Sequence, residues 1–103
     1  MSNIFGNKIK DLRESKNLPQ RKLASELEVD TATYCKIEKG DRRAKREQVI
    51  LIADLLSVDK DELLKLWSAD RVYEILENED NPSQILSIVA ENIVGYQCED
   101  IKI

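Results

Sequence analysis

Histidine is absent from the 103-residue chain, which removes imidazole metal ligands, the serine–histidine and cysteine–histidine dyads and the commonest general acid–base group. Glycine is scarce: Gly6, Gly40 and Gly95 are all there is, so no phosphate-cradling loop of the Walker or dinucleotide type can be written. Cys35 and Cys98 lie far apart and read as free thiols, without the Cys-x-x-Cys spacing of a metal site. The longest apolar run, Val49 to Ala53, is too short to cross a bilayer. Met1-Ser2-Asn3 leads directly into charged sequence with no signal-peptide pattern, which makes the cytoplasm the expected location. The expectation is therefore no enzyme, no cofactor, no metal, no small-molecule ligand and no membrane.

With 42% hydrophobic and 35% charged residues, the chain can bury one core beneath a very polar surface, as one compact domain with at most a helical appendage. The formal net charge of −4 is unevenly distributed, at +4 over residues 1–50 and −8 over residues 51–103. Within the first half, Lys36, Lys39, Arg42, Arg43, Lys45 and Arg46 form a basic cluster opposed locally only by Glu38 and Asp41. Charge alone makes such a cluster a solvated loop; its placement on the fold decides whether it means more.

Phe5, Ile9 and Leu12 follow the helical period and predict a first helix over roughly 4–16, closed by Asn17, which tolerates the left-handed conformation. Pro19 suits the first turn of a second helix whose inner face is Leu23, Ala24 and Leu27. Asp30 offers a cap to a third helix over about Thr31 to Lys39, with Tyr34 and Ile37 inward and Gly40 as its stop. Val49, Ile52, Ala53 and Leu56 mark a fourth helix, and Asp59-Lys60-Asp61-Glu62 opens a fifth. Asn81-Pro82-Ser83-Gln84 opens a last helix that Gly95 is expected to close. No strand-like alternation is present, so the class is all-α with about six or seven helices.

The sharpest signal is Gln20 to Lys39: a helix ending near Leu27, a short turn, and a helix opening at Asp30. Ala24 is small where the two helices cross, Leu23, Leu27 and Val29 fill the space beneath the turn, and Tyr34 and Ile37 anchor the second helix. The segment QRKLASELEVDTATYCKIEKG resembles the helix-turn-helix of the Xre/Cro-like regulators, the group that includes lambdoid phage repressors. The likeness runs without a gap from Ile9 through Leu63 and implies a five-helix, lambda-repressor-like DNA-binding domain followed by a C-terminal helical extension. Glu28 stands where the family usually has glycine, and Pro19 where it usually has a serine or threonine cap.

By that resemblance the third helix lies in the major groove of double-stranded DNA, with Thr31, Ala32, Thr33 and Lys36 as candidate base contacts. Gln20, Lys39, Arg42, Arg43, Lys45 and Arg46 are candidate phosphate contacts. The family also implies an ion pair between Arg13 and Glu38.

One short recognition helix gives little affinity alone, so a homodimer on a pseudo-palindrome is expected. The expected organisation is a DNA-binding domain over 1–68, a dimerising extension over 69–95 and a tail over 96–103. Leu64, Val72, Ile75 and Leu76 form a second apolar face if the fifth helix continues through Ser68 and Ala69. Leu86, Val89 and Ile93 of the last helix either cover that face within one chain or meet it across a two-fold axis. These readings describe a transcriptional regulator of repressor or controller type. The alternative is an antitoxin whose acidic second half masks a basic toxin while the same helix-turn-helix autoregulates.

Overall fold

The computed structural model describes the backbone of residues 3–102 and the side chains of residues 3–94; the thiol of Cys98 lies outside that range. Six helices follow one another: α1 (Ile4–Ser15), α2 (Gln20–Glu26), α3 (Thr31–Lys39), α4 (Arg46–Leu55), α5 (Lys60–Leu76) and α6 (Pro82–Lys102). No described helix is long and apolar enough to cross a membrane. The core lies among α1 to α5, where Ile9, Leu23, Tyr34, Val49, Ile52, Leu56 and Leu63 are fully buried.

The helix ends follow from local chemistry. Asp30 caps α3 by accepting a hydrogen bond from the Thr33 N–H at 2.7 Å, and Gly40 ends it in the left-handed region at φ 85°. Asn17, Glu28 and Ser57 also take left-handed φ, at 56°, 59° and 57°. Each closes a helix where glycine carries no Cβ penalty. Replacing Glu28 with glycine is accordingly expected to raise stability by about 0.5–1 kcal/mol, the removed strain exceeding glycine's greater freedom in the unfolded chain. Urea titration of the two proteins measures the difference, and an unchanged or lower midpoint contradicts it.

Two expected boundaries move. Pro19 is the N-cap of α2 and not part of its first turn: its ring sets φ at −76°, but ψ is extended at 155°, and the helix begins at Gln20. Nor does Gly95 end α6, which runs on to Lys102. A glycine keeps its N–H in the helical ladder and costs only about 1 kcal/mol, and no proline follows to stop the helix.

The fifth helix does continue through Ser68 and Ala69. Leu64, however, packs against the core instead of standing free with its expected partners. Leu76 is half-buried, whereas Val72, Ile75, Leu86, Val89 and Ile93 are all exposed. Among the described residues, α6 therefore does not cover the outer face of α5 within the chain.

Candidate nucleic-acid interface

The position of α3 is fixed from behind by a buried polar network. Arg13 of α1 donates to the Glu38 carboxylate through Nε at 2.7 Å and Nη2 at 3.2 Å, and through Nη1 to the Leu18 carbonyl at 2.7 Å. Both partners are buried, with 8% of Arg13 and 3% of Glu38 exposed. Gln20 Nε2 of α2 adds a hydrogen bond to Glu38 Oε1 at 3.1 Å. Three helices are thus joined at one carboxylate, and Arg13 ties the turn at Leu18 to the same network. Burial by itself pushes the Glu38 carboxyl up, but hydrogen bonds from Arg13 and Gln20 and the nearby Tyr34 hydroxyl outweigh it and hold the group below its ordinary range. Burial, reinforced by the Glu38 charge, pushes the Tyr34 phenol well above its own.

Close approach completes the placement. A Cβ on Gly6 of α1 would run into the Glu38 carbonyl and the Asn3 side chain, and Asn3 Nδ2 donates to that same carbonyl at 2.7 Å. Glycine at position 6 lets α1 and α3 meet.

What remains on the other side of α3 is open. Thr31, Ala32 and Lys36 are exposed and Thr33 and Cys35 partly so, while Tyr34 and Ile37 point inward. The backbone N–H groups of Asp41 and Arg42 both donate to the Lys36 carbonyl, at 2.9 and 3.3 Å, which folds the basic loop back along the end of the helix. Hydrogen bonds from Thr33, aided by the charges of Lys36 and Arg42, hold the Asp30 carboxyl below its usual value.

Lys36, Lys39, Arg42, Arg43, Lys45 and Arg46 are all exposed, but the fold holds them in different ways. Glu38 faces Arg13 in the interior and so does not neutralise the loop. Arg43 and Arg46 instead stand over the ring of Trp67 on α5, their guanidinium carbons 4.1 and 5.2 Å from its centroid. The indole Nε1–H donates to the Ala44 carbonyl at 2.8 Å. Gln20 and Lys39 share a polar hollow with Asn7 and Lys10 of α1, two residues that helical spacing gave no reason to single out. Lys45, exposed, precedes the first turn of α4.

Asp70 was equally invisible in the sequence. Its carboxylate on α5 accepts hydrogen bonds from the Ile4 and Phe5 N–H groups at 2.9 and 3.0 Å, capping α1 across 66 and 65 residues of chain. Only the folded chain brings these groups together; no local pattern announces them.

A five-helix core that presents the second helix of a helix-turn-helix outward, beside a basic loop, defines a DNA-binding regulator domain. The chain belongs to the helix-turn-helix family, which it matches over residues 9–63, and it is a transcriptional regulator of the Xre-like type. It is similar to the cryptic phage CTXphi transcriptional repressor RstR of Vibrio cholerae, 27% identical over 89 residues that cover 80% of each chain. It is also similar to the uncharacterized HTH-type transcriptional regulator YqaE of Bacillus subtilis, 31% identical over 71 residues that cover 69% of this chain and 61% of that one. No solved structure matches significantly.

Proposed function

We propose that the protein is a cytoplasmic repressor that acts as a homodimer on a pseudo-palindromic operator, by occupying DNA and without catalysis. The observation that carries this reading is the open outer face of α3, where Thr31, Ala32 and Lys36 are exposed beside Arg42 and Lys39. Thr31 and Ala32 offer methyl groups to thymine, and Lys36 offers donors to guanine O6 and N7. Gln20, Lys39, Arg42, Arg43, Lys45 and Arg46 meet phosphates, and Thr33 lies at the margin of the base-reading surface. The name of the RstR relative, a transcriptional repressor, supports repression over activation.

The exposed Val72, Ile75, Leu86, Val89 and Ile93, with Leu76 beside them, supply the apolar surface for pairing two copies. Pairing would set half-sites about 34 Å apart, or a multiple of that. The division into a DNA-binding unit over 1–68 and a pairing extension beyond it follows the same reading.

Binding-site selection from random duplexes, followed by a salt titration on the winning sequence, tests this function. A two-fold repeated motif and a steep fall of affinity with salt are expected; no enrichment of any sequence contradicts the proposal. Within that experiment Arg42→Ala is expected to weaken every duplex alike and to make log K less steep in log salt by about 0.9. An unchanged slope would remove Arg42 from the DNA.

A further inference from the structure

Trp67 is the chain's single tryptophan, and it stands on α5, outside both the recognition helix and the basic loop. It nevertheless touches that loop and the start of α4 at three points: the Ala44 carbonyl by a 2.8 Å hydrogen bond, and the guanidinium groups of Arg43 and Arg46 by the face of its ring. Ala44, between the two arginines, is buried, so the loop backbone is pinned while both arginines remain at the surface. Partial burial, followed by the charge of Arg71, holds the Arg43 guanidinium below its ordinary range, against the opposing charges of Glu74 and Asp70.

We infer that Trp67 is a positioning residue for DNA binding, one that presents Arg43 and Arg46 to the phosphate backbone as a fixed pair. The inference rests on the DNA-binding reading above. The guanidinium carbons lie over the indole at 4.1 and 5.2 Å from its centroid, and a guanidinium that rests on such a ring by its face keeps its five N–H donors, which all lie in its plane, available at the edge. Stacking and phosphate contact therefore use different parts of the same group and do not compete. Two long side chains that would otherwise lose rotamer freedom on binding are already ordered by the fold, so less affinity is lost in ordering them. The basic residues thereby divide by role: Lys36, Lys39 and Arg42 are organised by α3 itself, Arg43 and Arg46 by an aromatic residue on a different helix.

The test is a salt titration of the selected duplex and a scrambled one with the native chain, Trp67→Leu, Trp67→Phe, Arg43→Ala/Arg46→Ala and the triple variant. Trp67→Leu is expected to lower affinity about tenfold on both duplexes and to reduce the salt slope by about one to two. Trp67→Phe, which keeps a ring face, is expected to recover part of that loss. In the background lacking both arginines, Trp67→Leu should have no further effect on affinity. A residue that merely supports the fold would instead lower affinity by the same factor in both backgrounds, and that result would overturn the proposal. So would a folded Trp67→Leu protein with native affinity and slope.

Should Trp67→Leu fail to fold, tryptophan emission of the Arg43→Ala/Arg46→Ala protein takes its place. A changed emission supports the stacked contact, and an unchanged one overturns it. If the native chain binds no duplex, the DNA-binding reading fails together with the role assigned to Trp67; native binding with unaffected Trp67 variants sinks only the latter.

Discussion

Replacing Glu38 with alanine is expected to cost about 3–5 kcal/mol of folding stability, because it leaves the Arg13 guanidinium buried without its counter-charge. Against a total of about 5–15 kcal/mol for a domain of this kind, that loss removes much of the margin. The cost comes from stranding one partner and not from an intrinsically large worth of the pair, since desolvation offsets much of its attraction. The double variant Arg13→Met/Glu38→Leu is therefore expected to recover most of the lost stability. Urea unfolding followed by helical circular dichroism measures all three proteins, and a Glu38→Ala loss below about 1 kcal/mol, the scale of a surface pair, would show the network to be inconsequential.

The same carboxylate sets an acid limb. Its folded pKa lies below the ordinary value of 4.5, so the unfolded chain binds its proton first as pH falls. The stabilisation is fully present above that ordinary value and disappears as pH drops through the lowered one. A Glu38→Gln protein is expected to lose less stability than the native chain over this acidic window, although it starts lower at neutral pH.

Lys36→Ala is expected to weaken binding to the selected duplex by about 1–3 kcal/mol and to flatten the preference at one base pair. Lys36 is exposed on the outer face of α3, two residues after the inward Tyr34 and one before the inward Ile37, so its removal disturbs no core contact. The lost donors would be those matching guanine O6 and N7. Competition between the selected duplex and single-base variants distinguishes this from a phosphate contact: an equal loss on every sequence would place Lys36 on the backbone.

The limits of α3 were legible in the sequence because both of its ends are local events, an aspartate accepting from the N–H three residues on and a glycine taking left-handed φ. The strain at Glu28 was legible for the same reason, as a departure at a position where the family's turn usually has glycine. Gly95 misled because one residue without a following proline or capping partner is a weak stop. The loop charge was miscounted because the orientation of a side chain is not a sequence property: Glu38 adjoins Lys39 along the chain, yet faces Arg13 across the core. Trp67 reaches Ala44 over 23 residues and Asp70 reaches Ile4 over 66, distances at which neither period nor spacing carries information. The apolar residues of the second half were legible only as a pattern: Val72, Ile75, Leu86, Val89 and Ile93 are exposed, while Leu64 packs against the core.

Whether α3 meets base edges in the major groove is decided by methylation interference on the selected duplex. Methylation of guanine N7, which lies in the major groove, is expected to abolish binding at symmetric positions in the two half-sites, while methylation of adenine N3 in the minor groove leaves those positions unaffected. Interference confined to adenine N3, with guanine N7 methylation tolerated throughout both half-sites, would contradict the account.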